Sequence, residues 1–308
     1  MSQSIGTPFF WSAFVVVVLL LLSIDLGVLH RRAHAMKVRE AFSWCIFWIA
    51  LSIGFGLWIY RSFGSRHGLE FFTGYLIEYA LSVDNIFVFI IIFSYFKVPA
   101  RLHHRVLFWG ILGALIMRAT FILAGAALIS AFHWILYIFG AFLILTGAKI
   151  FCKGETEVDP TRNPVVRLFK RMVPMTSRFY EAKFFIRRSG IIAATPLTLV
   201  LVTVEATDLV FATDSIPAIF GITRDPFIVY TSNICAILGL RSMYFLLARV
   251  VDRFIYLGKG LGIVLVFIGI KMLIGEVYEV PIGLSLSVVA TVLAGSIVLS
   301  LLFPPKQL

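Results

Sequence analysis

EFFTGYLIEYALSVDNIFVFIIIFSYF, residues 70–96, sets Glu78, Asp84 and Asn85 in an otherwise apolar run. As a helix it exceeds the ~30 Å hydrocarbon core of a bilayer at about 1.5 Å per residue. A carboxylate near the middle of such a segment costs at least about 2.5 kcal/mol to insert, so it requires a compensating partner. A second apolar run, residues 191–220, carries Glu205, Asp208 and Asp214. Five acids in two apolar helices read as a path for a cation through a membrane.

The rest of the chain supplies the membrane. Its residues are 60% hydrophobic and only 14% charged, and the mean hydropathy is +0.98, more apolar surface than a soluble domain can bury. The formal charge of +11 does not indicate nucleic acid, because the basic residues sit between apolar runs where they orient spans. Cys45, Cys152 and Cys235 are scattered, without metal-ligand spacing, and indicate neither disulfides nor zinc. The first apolar run has no basic residue before it and Arg31-Arg32 directly after it, which marks a retained span rather than a cleaved signal.

Nine spans fit the apolar runs: 8–29, 41–60, 70–96, 105–130, 133–152, 191–220, 226–248, 258–276 and 281–303. Positive charge alternates from one connection to the next. Arg31, Arg32, Lys37 and Arg39 follow the first span, and Lys97, Arg101 and Arg105 the third. The loop at 153–190 is strongly basic; Arg249, Arg253 and Lys259 follow the seventh span, and Lys306 lies near the C-terminus. The positive-inside rule then puts the N-terminus outside and the C-terminus inside. The loop itself reads as short surface helices or a linker beside anionic headgroups. His103 and His104 fall in a cytoplasmic connection and read as solvated.

An internal repeat runs through spans three to eight. Gly140-Ala-Phe-Leu-Ile-Leu-Thr-Gly147-Ala-Lys149 resembles Gly262-Ile-Val-Leu-Val-Phe-Ile-Gly269-Ile-Lys271, and Ile111 to Arg118 resembles Ile234 to Arg241. Asp84-Asn-Ile-Phe-Val88 resembles Asp208-Leu-Val-Phe-Ala212. Three spans is an odd number, so the second copy enters the membrane from the opposite side. That is the pattern of an inverted-repeat transporter, with its site near the midplane and one copy rocking against the other. The predicted fold is therefore an all-α polytopic membrane protein, one transmembrane domain over 1–308. Within it lie repeat 1 (70–152), a cytoplasmic loop (153–190) and repeat 2 (191–277), with peripheral helices at 8–60 and 281–303.

Asp84 and Asp208 occupy matching repeat positions near mid-span. Glu78 and Asp214 each lie six residues away, about 9 Å closer to the outside, and Glu205 lies about 4.5 Å toward the cytoplasm on the face of Asp208. Ser82, Asn85 and Ser215 extend these faces. Pro217 offers no N–H to the Thr213 carbonyl, which frees an oxygen beside Asp214. Carboxylate, amide, hydroxyl and carbonyl oxygens suit hard divalent ions such as Mg²⁺, Ca²⁺ or Mn²⁺, and no thiolate or histidine on the two helices invites softer metals. Against five acids stand two deep basic residues, Arg118 and Arg241, read as structural counter-ions; the surplus negative charge asks for a cation. Closely placed carboxylates also share protons, which points to proton antiport.

At these residues the chain resembles the TerC family of integral membrane proteins, within the wider group that includes lysine exporters. The matching text is Gly74-Tyr-Leu-Ile-Glu78-x5-Asp84-Asn85, then Glu205-x2-Asp208-x5-Asp214-Ser215-Ile216-Pro217-Ala218-Ile219-Phe220, then Thr231-Ser-Asn-x4-Leu238-Gly-Leu-Arg241-x-Met-Tyr244-Phe. The resemblance covers nearly the whole chain and implies a manganese exporter of the bacterial cytoplasmic membrane, with the five acids handling metal. An acid-lined path would repel tellurite, so the tellurium resistance in the family's name reads as indirect. Three readings stay open: export of Mn²⁺, with no resident cofactor; export of another cation, Ca²⁺ or a basic amino acid; and a membrane factor that helps metallate or insert other proteins. No nucleophile–base pair accompanies the acids, so an enzyme is not expected.

Overall fold

The computed structural model describes residues 4–27, 38–132, 134–153, 164–176, 178–180, 182–188, 191–248, 256–275, 277–278 and 280–303. Side chains at 24–27, 38, 84, 87 and 191 lie outside the description. Two predicted features therefore fall beyond it: the Asp84 side chain, and the basic residues 31, 32, 37, 249, 253 and 306 that orient the chain.

In order, the helices are α1 (Pro8–Gly27), α2 (Val38–Phe63), α3 (Ser65–Tyr95), α4 (Ala100–Ala131), α5 (Ile135–Lys153) and the short α6 (Pro164–Met172). A hairpin of β1 (Phe185–Arg188) and β2 (Ile191–Ala194) follows, antiparallel, with Phe185 opposite Ala194. Then come α7 (Pro196–Phe220), α8 (Pro226–Leu238), α9 (Leu240–Leu247), α10 (Leu257–Ile274) and α11 (Ile282–Leu302). Among the described residues seven helices (α2, α3, α4, α5, α7, α10 and α11) are long and apolar enough to cross a membrane.

Local chemistry places the breaks. Gly64, at φ +95°, adopts a conformation that a β-carbon disfavours and separates α2 from α3. Lys97, at φ 49°, and Pro99 turn α3 into α4. Pro196 and Pro226 open α7 and α8 at the first helical position, where a missing N–H costs nothing. Asp225 caps α8 by accepting from the Phe227 amide at 2.9 Å.

Two predicted spans are corrected. Residues 191–194 form β2 rather than the start of a membrane helix. The Thr195 amide is bonded to the Phe184 carbonyl and the Ala194 amide to the Pro174 carbonyl, and the helix begins only at Pro196. This hairpin is also a small departure from an all-α fold. The span at 226–248 is two helices, interrupted at Gly239, with Met243 restarting the ladder on the Gly239 carbonyl.

The core runs along α3 and α8. The most buried of the seven candidate spans is α3, and α8 is buried from Phe227 to Leu238 without interruption. Outer helices do the reverse: Ile46, Leu57, Leu145, Val298 and Leu301 stand exposed, an apolar surface that fits lipid rather than water.

The largest helix–helix contact joins α5 to α10. It is antiparallel and reciprocal: Gly140 faces Gly269, and Gly147 faces Gly262. A β-carbon on any of the four would fall 2.5–3.0 Å from the opposite backbone oxygen, so only glycine permits this approach. Elsewhere α3 packs on α8 and α9 and α4 on α7, with α3 against α7 between them, while α2 lies along α3 and α11 along α10.

Candidate functional site

The side chains of α3, α4 and α7 meet at a buried ion triad. Arg118, from the middle of α4, is 1% exposed. Its Nη1 donates to Glu78 Oε1 on α3, while Nε and Nη2 donate to Asp208 Oδ2 and Oδ1 on α7 at 3.4 and 3.3 Å. Asn85 Nδ2 adds a donor to Asp208 Oδ1 at 3.4 Å. Packing fixes the arrangement, because α3 lies against α7 while α4 covers both α7 and α8. A buried carboxylate of this kind persists only when paired, and removing one partner of such a group costs about 3–5 kcal/mol.

The triad does not exhaust the polar atoms. Glu78 Oε2, Ser82 Oγ, Asn85 Oδ1 and Ser215 Oγ are buried without a hydrogen-bond partner among the described residues. Ser215 faces the Glu78 carboxyl. Such oxygens in an apolar interior are costly: the Glu78 and Asn85 oxygens ask for a donor or a cation, and the two hydroxyls for an acceptor or a cation. Glu205 lies on the other side of Asp208, half-buried, with no hydrogen bond or ion pair among the described residues. A void of about 10 Å³ separates it from Ile111, Ala114 and Ile237, room for at most one water. Gly113 leaves the space the Glu205 carboxylate fills: a β-carbon there would collide with it.

Of the residues singled out from sequence, the structure brings together Glu78, Asn85, Arg118, Glu205, Asp208 and Ser215, and places Ser82 on the same helix as Glu78 and Asn85. It does not bring Asp214 into this group: its neighbours are Thr146 and Lys149 on α5. Thr213 is exposed, its hydroxyl donating to the Val210 carbonyl at 2.6 Å. Arg241, buried on α9, donates from Nη1 to His104 Nε2 at 3.0 Å. The solvated reading of the two histidines is thereby corrected. His103 and His104 belong to α4, and His103 is held by the Val98 carbonyl, the Tyr244 hydroxyl and a stack on Phe93 at 4.5 Å. Among the described residues, no three His, Cys, Asp or Glu side chains converge as a ready metal cage.

Sequence reading missed two polar groups. Asn233 is fully buried on α8 with both amide atoms unpartnered, and the triplet Thr231-Ser232-Asn233 in an apolar run was its signal. Glu70 is buried in α3, bonded to Arg66 Nε at 3.1 Å and to the Thr223 hydroxyl at 2.8 Å. It forms part of the wall of a cavity of about 690 Å³ with Arg66, His67, Asp225 and Lys271, at the common end of α3, α7 and α10.

A family model described as "Integral membrane protein TerC family" matches residues 63–308, every helix of the site included. The chain belongs to the TerC family. Among its relatives, the Myxococcus xanthus protein named "Uncharacterized membrane protein STKORF319" is 52% identical over 299 residues, 97% of this chain and 94% of that one. The Escherichia coli K12 protein named "Putative membrane-bound redox modulator Alx" is 49% identical over 307 residues, 97% and 96% of the two chains. A Rickettsia felis membrane protein is 42% identical over 292 residues, 95% and 97%. No solved structure matches this TerC protein.

Proposed function

We propose that this TerC-family protein is a secondary transporter that exports a divalent metal cation, Mn²⁺ foremost, across the bacterial cytoplasmic membrane in exchange for protons. The observation that carries the reading is the cluster of Glu78, Asp208 and Arg118 with four unsatisfied oxygens around it, buried where α3 meets α7. A purely structural ion pair would be cheaper to replace by apolar side chains. An unsatisfied, oxygen-only donor set suits a hard divalent ion instead.

The reading carries its topology with it: nine spans, the N-terminus outside, and an inverted repeat of α3–α5 on α7–α10. The reciprocal glycine contacts of α5 and α10 support that repeat, since a two-fold in the membrane plane would exchange Gly140 with Gly262 and Gly147 with Gly269. The same operation relates the Arg118–Asp208 pair to Arg241 and Asp84. Asp214, beside Thr146 and Lys149, is then a station away from the central acids rather than part of one cage. The name "redox modulator" on relatives is compatible with export of a redox-active metal; the three thiols of this chain are free, and two of them are buried.

The test is cellular manganese during a manganese challenge, in cells that lack the gene and carry either wild type or Asp208→Asn. Wild type is expected to lower internal manganese severalfold and the variant to leave it near the level of the empty strain. A variant as effective as wild type would remove Asp208 from the path, and a wild type without effect would remove manganese as cargo.

A further inference from the structure

The transport site as it stands has no room for its cargo. The void beside Asp208 is about 10 Å³, and the space between Asp208 and Glu78 is filled by a guanidinium. That guanidinium gives Nε and Nη2 to Asp208 at 3.4 and 3.3 Å and Nη1 to Glu78. The void and the unpaired Glu205 carboxylate both lie on the Asp208 side. Arginine keeps its charge at any physiological pH, so it neutralises these acids without delivering a proton.

We propose that Arg118 is a tethered counter-cation that competes with the cargo for Asp208: in the empty protein it bridges Glu78 and Asp208, and the arriving ion takes Asp208 and Glu205 while Arg118 stays with Glu78. The inference rests on the cation-transport reading and gives Arg118 a role that reading does not require. With Glu78, Asp208 and Glu205 ionised and Arg118 retained, the empty site is left negative and a divalent ion brings it to neutrality, which low dielectric favours. Arg118 also keeps Asp208 and Glu78 paired while no ion is bound. The unpartnered Asn85 Oδ1, whose amide nitrogen already reaches Asp208, is available to the ion once Arg118 withdraws from Asp208.

The experiment measures Mn²⁺ binding to the purified full chain in detergent, by manganese EPR titration, and Mn²⁺ flux in liposomes. Arg118→Gln is expected to bind Mn²⁺ about tenfold more tightly than wild type and to turn over more slowly, so that KM and kcat fall together. A stabilising structural arginine would give the opposite, since its loss would weaken binding along with the fold. Unchanged or weaker binding by a monodisperse Arg118→Gln protein overturns the inference. Should that variant fail to fold, Glu78→Gln/Arg118→Gln removes one charge of each sign, and the same gain is expected relative to Glu78→Gln alone; no gain there overturns it equally. Absence of flux from wild-type liposomes would instead count against the transport reading, while the binding comparison still decides the competition.

Discussion

At the scale of single residues, the site depends on what is missing as much as on what is present. Gly113 on α4 sits where any β-carbon would strike the Glu205 carboxylate. Gly113→Ala is therefore expected to displace Glu205 from the side of Asp208 and to cut manganese flux severalfold with raised KM, while the protein stays folded and monodisperse. Equal flux and KM in liposomes would show that Glu205 is not a ligand. The acids themselves were legible in the sequence, because an ionised side chain in an apolar run stands out whatever its neighbours. Their partners were not. Which carboxylates Arg118 joins depends on how α3, α4 and α7 cross, and no local spacing encodes a contact between positions 78, 118 and 208. Glu70 was passed over because the apolar run was taken to begin there, whereas the helix begins at Ser65 and carries Glu70 inside it. Asp214 was grouped with the others by helical spacing, but its neighbours Thr146 and Lys149 belong to the facing helix.

At the scale of elements, apolar length predicted the helices well, and it failed where backbone chemistry intervened. Ile191 and Ile192 are apolar enough for a span, yet Pro196 delays the helix and β1 supplies the strand's partner. Gly239 interrupts a run that hydropathy alone joins into one helix. The glycines of α5 and α10 were legible as a repeat but not as a contact. In lipid there is little hydrophobic gain in bringing two helices together, so close backbone approach through small residues has to supply the attraction. Gly147→Val would push a branched side chain into the Gly262 carbonyl and Val266. It is expected to cost about 2 kcal/mol of stability by overpacking, read as a lower unfolding midpoint in detergent. Gly54→Val and Gly295→Val serve as controls, since nothing lies within 4 Å of a β-carbon at either position. A midpoint for Gly147→Val no lower than theirs would deny the α5–α10 contact its structural role.

At the scale of the whole molecule, the helices assigned to the two proposed repeats interleave rather than lie side by side. The contacts of α5 with α10, α3 with α8 and α4 with α7 would each join one proposed repeat to the other. Rocking one copy rigidly against its mate would break all of them at once, so alternating access, on the transport reading, has to move a body drawn from both copies. The α5–α10 pair, locked backbone to backbone at two levels, is the natural candidate. Orientation can be tested with the chain's own thiols. Cys152 is exposed near the end of α5 next to Lys153, on the side where basic residues collect, while Cys45 and Cys235 are buried. A membrane-impermeant maleimide is therefore expected to modify Cys152 in inverted membrane vesicles and not in intact spheroplasts, with Cys152→Ser abolishing the signal and the other two thiols reacting only after denaturation. Labelling from the outer face would turn the molecule over. The large cavity at the far end of α3, α7 and α10 would then open to the cytoplasm.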